Sequence, residues 1–395
     1  MEILKERTIS LCPECQKEIE AQVYEESGKV YMRKTCLDHG EFKALVEKDV
    51  DFYKRVMHNN PDPNEKFNVL VIPIEYRCNM RCKYCYLSDT GQENISFERL
   101  KEIIKGFTGM TIALSGGEPT LRKDLPEIIR YIHSVGKDAY IVTNGIKLAD
   151  PNYVKMLKKA GLKQIFFGFN GFSDRSDANI YKMPNVTKLK LQALNNLRGQ
   201  GFNLVLSVTI GQGINEEEMM PLFEYAARNV HIGQLRIRSV TRVGHYGDDI
   251  GFFNSEFVQM FSERTGITRD HIFNYLTDEV FYNTNYHFMI RVFFRIMYGK
   301  VEVLPDLNMR NYGKAGHLKK AATLYHNLGA MGLGTQLLNI GFKKDRLIRG
   351  LHVRFISWPD IYNIDLQEAD RGIAHLYNQC EVLNFCHAIV LNEGL

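Results

Sequence analysis

Three cysteines lie close together in the segment RCNMRCKYC, which runs from residue 77 to residue 85. Cys78, Cys82 and Cys85 are spaced C-x3-C-x2-C. Thiolates bind zinc and iron–sulfur clusters, but closed zinc sites and ordinary four-cysteine clusters use four protein ligands. A cluster held by three thiolates would leave one iron with an exchangeable site, which permits chemistry on a bound ligand. The alternative is a zinc site with its fourth ligand elsewhere, although zinc knuckles favour pairs of C-x2-C.

Two further polar motifs follow, each at the end of an apolar, β-branched run. The run GMTIALS leads into SGGEP at positions 115–119, where two glycines let a backbone approach a ligand closely and Glu118 supplies a carboxylate. The run DAYIVTN ends in Asn144. Taken alone, GGEP is equally compatible with an ordinary turn from strand to helix. The cysteine loop also follows such a run, NVLVIPI, so the three motifs are predicted at successive strand ends.

These runs belong to a strand-then-helix pattern between residues 67 and 250. Six runs predict strands: NVLVIPI, GMTIALS, DAYIVTN, KQIFFGF, NLVLSVTI and QLRIRSV. Amphipathic segments such as SFERLKEIIKGF lie between them and predict helices. Continuous apolar strands indicate a parallel sheet covered by helices, so we predict an α/β fold that is a barrel or part of one. In such folds the chemistry gathers at the C-terminal strand ends.

The order C-x3-C-x-aromatic-C followed by GGEP resembles the signature of the radical S-adenosylmethionine (SAM) superfamily. The match covers roughly residues 67–245. The resemblance implies a partial (β/α)6 barrel with a [4Fe–4S] cluster on Cys78, Cys82 and Cys85. The amino and carboxylate groups of SAM would chelate the open iron.

The resemblance also implies which residues contact SAM. Tyr84 would lie near the adenine, and the backbone of residues 116–118 would hold the methionine amino group together with Glu118. Asn144 would contact the ribose or the carboxylate. The full set of cofactor-binding candidates is Tyr84, Ser115, Gly116, Gly117, Glu118 and Asn144, with Asn170 in GFNG after the fourth strand and Ser207 on the fifth.

The implied reaction is homolytic. A reduced, low-potential cluster would pass one electron to the sulfonium of SAM and break the C5′–S bond. The products would be methionine and a 5′-deoxyadenosyl radical that abstracts hydrogen from a substrate. The barrel would exclude water and stray hydrogen donors, which would quench the radical. A flavodoxin- or ferredoxin-type protein is the expected reductant.

A second set of metal-ligand types lies near the start of the chain. Cys12 and Cys15 form one C-x2-C pair, Cys36 and His39 form a C-x2-H pair, and these four ligands suit tetrahedral Zn²⁺ or a single iron. β-like runs and the helical segment DVDFYKRVM predict a rubredoxin-like or zinc-ribbon-like domain over residues 1–56, with a linker at 57–66. A domain this small commonly needs a metal to fold, and free cysteines are the alternative.

The order of motifs along the whole chain resembles one radical SAM group, which contains archaeal tetraether lipid synthase and its pterin-methylating relatives. That order is CPxC, CxxHG, a linker and then the SAM cysteine motif. RSVTRVGHYG and CEVLNFCHAI are similar to that group as well. Its members join unactivated sp³ carbons or are proposed to add methyl groups. This chain is shorter, and its tail carries only Cys380 and Cys386. These could complete a second iron–sulfur cluster with His387 or another ligand, replace His39, or pack as apolar thiols.

Residues 251–395 lose the alternation and predict a mixed C-terminal extension that covers the substrate. Helices are expected in aromatic segments such as GFFNSEFVQMF and YHFMIRVFFRIMYG. Such apolar segments more often form a helical core than line a hydrophobic substrate channel. Arg236, Arg238 and Arg242 follow one another at the end of the last strand, where alternate residues share a face. They could bind a phosphate or carboxylate, and surface salt bridges are the alternative.

The bulk composition excludes several classes of function. A hydrophobic fraction of 45% is ordinary for a globular protein, and a net charge of +4 provides no basic stripe for nucleic acid. The charged first residues argue against a signal peptide and no apolar run spans a bilayer, so a cytoplasmic protein is expected. Our main hypothesis is a radical SAM enzyme that forms C–C bonds on, or alkylates, a lipid-like or small-metabolite substrate. The alternatives are a peptide maturase and a non-catalytic metal scaffold.

Overall fold

A computed structural model describes most of the chain. The described residues are 1–58, 69–85, 87, 93–242, 251–274, 286–297, 300–304, 349–369, 374–378, 381–384 and 390. The predictions for Cys380, Cys386 and most of the linker therefore lie outside the described residues.

A four-stranded antiparallel sheet forms the amino-terminal domain. Its strands, in both chain and spatial order, are β1 (Glu2–Leu11), β2 (Glu18–Glu26), β3 (Lys29–Cys36) and β4 (Gly40–Glu47), and helix α1 (Val50–His58) follows. Alternate residues of β3 are buried because one face of the sheet packs around Val30, Met32 and Tyr53. The sequence pattern predicts all of these elements except β1, whose first half carries exposed charged residues typical of an edge strand.

Six parallel strands form the central sheet and confirm the predicted α/β architecture. They are β5 (Val69–Glu75), β6 (Thr111–Gly116), β7 (Asp138–Thr143), β8 (Gln164–Gly168), β9 (Asn203–Ile210) and β10 (Ile232–Ser239), adjacent in that order. The helices between them are α2 (Phe97–Gly106), α3 (Leu125–Ser134), α4 (Pro151–Lys159), α5 (Asp174–Ser176), α6 (Val186–Leu197) and α7 (Met219–Arg228). Because the strands are parallel, their C-terminal ends share one edge of the sheet.

Local signals determine where these helices begin. Ser96 precedes α2 and its side chain accepts a hydrogen bond from the backbone N–H of Arg99. Asp150 does the same for Asn152 ahead of α4, whose first residue is Pro151. None of the helices in the described part of the chain is long and apolar enough to cross a membrane.

Among the described residues, five further strands extend the central sheet on both sides. β13 (Arg349–Ile356) pairs parallel with β10, β11 (His287–Met297) pairs antiparallel with β13, and β12 (Lys300–Val303) lies at the edge. Beyond β5 lie β14 (Ala374–Asn378) and β15 (Glu381–Asn384). The remaining α-helices in the described part of the chain are α8 (Asn254–Thr265), α9 (Arg269–Asn274) and α10 (Leu366–Ala369).

The helix predicted in YHFMIRVFFRIMYG is wrong, because the described part of this segment is strand β11. Its aromatic and β-branched residues fit a pleated surface. A short apolar run does not distinguish strand from buried helix by periodicity alone. The strand is recognised only through its partner β13, which lies far along the chain.

Hydrogen bonds fasten the amino-terminal domain to the segment that follows β13. The ammonium of Lys34 donates to the carbonyl oxygens of Leu11 at 2.6 Å and Ile361 at 2.9 Å. Thr8 Oγ1 donates to Asp365 Oδ1 at 2.6 Å. Burial lowers the pKa of Lys34 to about 8 because it disfavours the charged ammonium. The carbonyl acceptors therefore stabilise that ammonium. The amino-terminal domain therefore holds residues 361–365 in place.

Candidate active site

The cysteine loop begins directly after β5 and is fixed at both ends. At its start, the buried carboxylate of Glu75 accepts hydrogen bonds from Arg77, at 2.9 Å from Nε and 2.8 Å from Nη2. Further along, the backbone N–H of Lys83 donates to the carbonyl oxygen of Ile180 at 2.8 Å. These contacts place residues 78–85 at the C-terminal edge of the parallel strands, as predicted.

Burial raises the pKa of all three thiols in this loop. Burial raises the pKa of Cys82 to about 12, although the positive charge of Lys190 acts to lower it. Burial likewise raises the pKa of Cys78 and of Cys85. Iron–sulfur clusters bind thiolates, so cluster assembly on this loop must release protons. Three soft donors on one fixed loop fit a [4Fe–4S] cluster with three protein ligands.

The glycines of SGGEP pack against the start of the cysteine loop. The backbone N–H of Gly117 donates to the carbonyl oxygen of Glu75 at 2.7 Å, and that of Glu118 donates to the carbonyl oxygen of Arg77 at 2.9 Å. A Cβ on Gly117 would lie 2.5 Å from the Arg77 oxygen, and Gly116 has a φ of +121°. The close approach that requires glycine is thus to the protein's own backbone, whereas the sequence pattern attributes it to a ligand.

The carboxylate of Glu118 joins the ends of β6 and β7. Its Oε1 accepts hydrogen bonds from the hydroxyls of Thr120 at 2.6 Å and Thr143 at 2.7 Å. Its Oε2 accepts one from the backbone N–H of Asn144 at 2.7 Å. The side chain is fully buried and both oxygens bind protein groups. The carboxylate therefore positions Asn144, and its predicted contact with the methionine amino group stays a prediction.

Asn144 lies beside the first cysteine of the loop. Its Nδ2 donates to Asn79 Oδ1 at 2.8 Å and lies 3.8 Å from Cys78 Sγ. The ammonium of Lys190 donates to the carbonyl oxygens of Asn144 and Gly168, both at 2.6 Å, and so joins the ends of β7 and β8. Burial lowers the pKa of Lys190 to about 8. Sequence reasoning misses this lysine because lysines on amphipathic helices ordinarily face solvent.

Asn170 connects the end of β8 to β9. Its Oδ1 accepts a hydrogen bond from the backbone N–H of Thr209 at 2.9 Å, and its own backbone N–H donates to the hydroxyl of Tyr181 at 2.8 Å. Its carbonyl oxygen accepts a hydrogen bond from Asn215 Nδ2 at 2.8 Å. This network holds the fourth strand end rigidly beside Ser207, which is buried on β9.

A cavity of about 610 Å³ runs through the barrel beside the cysteine loop. This volume is in the range of about 300–1,000 Å³ that small-molecule sites occupy. Nine predicted site residues line it: Tyr84, Cys82, Cys85, Ser115, Gly116, Gly117, Asn144, Asn170 and Ser207. Cys78 and Glu118 are not in its wall. Backbone amides, hydroxyls and side-chain amides thus face one chamber next to the thiols, which fits SAM bound beside a cluster.

The cavity also contains arginines, two of which the sequence pattern predicts. Arg236 and Arg238 line it, whereas Arg242 lies outside it, with its Nε 3.9 Å from Oδ2 of Asp360. Arg354 and Trp358 line it as well. Sequence reasoning misses these two residues because they belong to β13 and the segment after it, and the pairing of β13 with β10 cannot be read from local pattern.

The four predicted ligands of the amino-terminal domain converge. One ligand atom from each of Cys12, Cys15, Cys36 and His39 lies within 4.8 Å of the others. His39 Nδ1 is 3.4 Å from Cys36 Sγ and 3.6 Å from Cys12 Sγ. The contact with His39 lowers the pKa of Cys36, and the same contact raises that of His39. Three thiols and one imidazole fit a tetrahedral Zn²⁺ or iron site that is structural.

Comparison with known proteins agrees with this geometry. The family described as "Radical SAM superfamily" matches residues 72–226, and the "HMPTM N-terminal zinc ribbon domain" matches residues 4–48. The GTP 3′,8-cyclase of Campylobacter curvus is 30% identical over 233 residues, which are 56% of this chain and 67% of that enzyme. The chain belongs to the radical SAM superfamily. The predicted superfamily, the partial-barrel fold and the amino-terminal metal ribbon are confirmed.

This radical SAM chain is also similar to the 7,8-dihydro-6-hydroxymethylpterin dimethyltransferase of Methanocaldococcus jannaschii. The two are 33% identical over 262 residues, which are 58% of this chain and 52% of that enzyme. The chain therefore spans about half the length of this relative. Among solved structures, Streptococcus suis SuiB bound to the precursor peptide SuiA has a TM-score of 0.45 and 14% identity, over 54% of this chain and 48% of that one.

The cofactors of this radical SAM enzyme follow from its superfamily and from the donor sets. A [4Fe–4S] cluster and SAM belong to the barrel, and Zn²⁺ or iron belongs to the ribbon. When bound, the cluster and SAM would supply reductive cleavage of SAM and hydrogen abstraction. The chain's own contribution is to fix the thiols through Glu75 and Ile180, to order Asn144 through Glu118, and to enclose the reacting groups away from water.

Proposed function

We propose that this radical SAM enzyme alkylates, or forms a C–C bond at, an unactivated carbon of a small heterocyclic metabolite. The observation that carries the proposal is the combination of a Cys3His ribbon with a radical SAM barrel in one chain. The same ribbon family takes its name from HMPTM, and a pterin dimethyltransferase is among the similar proteins. The cavity of about 610 Å³ is lined mostly by apolar surface with a few polar and charged groups, which is typical of a small-molecule site.

Within this function we assign a role to each group of site residues. Cys78, Cys82 and Cys85 would hold the cluster. The remaining candidates would surround SAM through backbone and side-chain polar groups: Tyr84, Ser115, Gly116, Gly117, Glu118, Asn144, Asn170 and Ser207. A flavodoxin- or ferredoxin-type protein would supply electrons.

Anaerobic reconstitution tests the proposal. The protein is loaded with iron and sulfide, reduced with dithionite and incubated with SAM and either 7,8-dihydro-6-hydroxymethylpterin or its phosphate ester. We expect 5′-deoxyadenosine, an alkylated pterin, and deuterium in 5′-deoxyadenosine when the substrate is deuterated. The Cys82→Ala variant should produce none of these. The proposal is wrong if 5′-deoxyadenosine forms but the pterin is unchanged and unlabelled, while a precursor peptide is modified in its place.

A further inference from the structure

Strand β13 adds a seventh parallel strand to the barrel wall. It pairs with β10 so that Arg354 lies opposite Arg236, and Ile356 lies opposite Arg238. Side chains on a strand alternate between its two faces, and the inward-facing positions here include Arg236, Arg238, Arg354 and Ile356. The segment after β13 then adds Trp358 to the same wall. The C-terminal extension thus contributes directly to the chamber that the cysteine loop closes.

This chamber is strongly cationic. Lys190, Arg236, Arg238 and Arg354 all line it, and none of the described residues that line it is Asp or Glu. The guanidinium of Arg238 lies 5.5 Å from the ring centre of Trp358 and donates to Thr209 Oγ1 at 3.1 Å. That of Arg236 lies 5.7 Å from the ring centre of Phe166. Four cationic side chains therefore border the same chamber as the cysteine loop.

The arginines extend from the cysteine loop into the barrel. Arg238 on β10 and Cys85 in the cysteine loop line the same cavity. Arg236 and Arg354 line the cavity together with Tyr140, and their charges oppose the rise in the pKa of Tyr140, which desolvation brings to about 12. An anion bound by all three would lie inside the barrel at the wall formed by β10 and β13, which are four and five strands away from β6 in the sheet.

We propose that Arg236, Arg238 and Arg354 bind a phosphate ester of the substrate. The inference rests on the proposed function and names the substrate's anionic group. Guanidinium groups present planar pairs of N–H donors that match phosphate oxygens, and three of them supply more donors than one carboxylate can accept. The adjacent aromatic side chains Tyr140, Phe166 and Trp358 provide flat surfaces for a ring beside that phosphate.

The single tryptophan of the chain reports on this site. Anaerobic holoenzyme saturated with SAM is titrated with guanosine monophosphate, glycerol 1-phosphate or guanosine while Trp358 fluorescence is recorded. We expect a saturable change with the phosphate esters and none with guanosine. A larger affinity for guanosine monophosphate indicates a heterocyclic phosphate, and a larger affinity for glycerol 1-phosphate indicates a lipid headgroup. Trp358→Phe should abolish the signal.

Variants identify the residues that bind. Arg354→Gln and Arg236→Gln should each weaken phosphate-ester binding about tenfold or more, whereas Arg354→Lys should lose less. Arg242→Gln, an arginine outside the cavity, is the matched control and should change binding less than about twofold. Melting temperatures verify that each variant is folded. Binding of SAM alone to Arg354→Gln should match the wild type.

Two results would overturn the inference. In the first, the phosphate esters bind the two glutamine variants as tightly as the wild type. In the second, Arg354→Gln weakens SAM binding as much as phosphate binding, so that the arginine serves the carboxylate of SAM. Formation of 5′-deoxyadenosine is assayed separately. Its presence without phosphate binding refutes only the arginine site, and its absence from the wild type refutes the proposed function.

Discussion

The carboxylate of Glu118 and the backbone amide of Asn144 are joined by a hydrogen bond of 2.7 Å that connects the ends of β6 and β7. The side chain of Asn144 then donates to Asn79, inside the cysteine loop. The GGEP carboxylate therefore acts on the loop through Asn144. The Glu118 side chain thus braces the residues beside the cysteine loop, and its contact with the methionine amino group of SAM stays a prediction.

Replacing Glu118 with Gln tests this brace. The amide would place N–H groups against the hydroxyl and amide donors of Thr120, Thr143 or Asn144, because Glu118 accepts hydrogen bonds at both oxygens. A buried donor without an acceptor costs about 1–3 kcal/mol, so the melting temperature should fall by several degrees. Glu98→Gln, at an exposed carboxylate on α2, is the control and should melt like the wild type. An unchanged melting temperature in Glu118→Gln would refute the brace.

A methyl group at Gly117 should displace the cysteine loop. The Cβ of Gly117→Ala would lie 2.5 Å from the Arg77 oxygen and 2.6 Å from the Tyr76 oxygen, and both are backbone atoms that cannot rotate away. We expect reconstituted protein with less than about half the wild-type iron, since the thiols follow these residues directly. Gly106→Ala has open space around its Cβ and should bind normal iron. Full iron content in both variants would show that the loop tolerates the shift.

The parts of the site that depend on short, continuous sequence motifs could be predicted from the sequence. The spacing of Cys78, Cys82 and Cys85 and the six apolar runs predict the loop and the strands that carry it. The inward-facing Arg354 depends on a strand pairing between distant segments, which no local pattern encodes. Lys190 depends on the orientation of one helix face over two strand ends. What is missed is therefore tertiary in origin.

Lys190→Met should destabilise the strand ends that form the site. The variant removes two hydrogen bonds of 2.6 Å and leaves the carbonyl oxygens of Asn144 and Gly168 without this donor. The loss should be about 2–4 kcal/mol, measured by denaturant unfolding, and SAM binding should weaken because Asn144 shifts. Lys188→Met removes an exposed lysine from the same helix and should stay within about 0.5 kcal/mol of the wild type. Equal losses in the two variants would contradict the assignment.

Cys15→Ala and Cys85→Ala should separate the two metal sites. Cys15→Ala should lose the ribbon metal and retain iron on the cluster loop, whereas Cys85→Ala should show the reverse, as elemental analysis will measure. Loss of the ribbon metal should also loosen residues 361–365, which Lys34 and Thr8 hold. Hydrogen–deuterium exchange should therefore rise there in Cys15→Ala. Loss of both metals from either variant would show that the sites are not independent.

The buried carboxyl of Glu47 predicts a pH dependence at the junction between the ribbon and α8. Glu47 accepts hydrogen bonds from the backbone of Lys48 at 2.7 Å and from the hydroxyl of Ser255. Burial raises its pKa to about 7, above an unfolded value of about 4.3. Between these two values the folded state binds more protons than the unfolded state. This group's contribution to the free energy of unfolding is thus fully present below about pH 4 and is lost as the pH rises to about 7.

Glu47→Gln, which carries no charge at any pH, should remove this dependence. We expect the variant to melt close to the wild type at about pH 5 and above it at about pH 8, because the wild type must then bury a carboxylate. Glu26→Gln is the control: Glu26 is exposed, and the hydrogen bond from Lys43 lowers its pKa, so its replacement should bring no gain at alkaline pH. A difference between Glu47→Gln and wild type that is the same at both pH values would show that Glu47 does not titrate in this range.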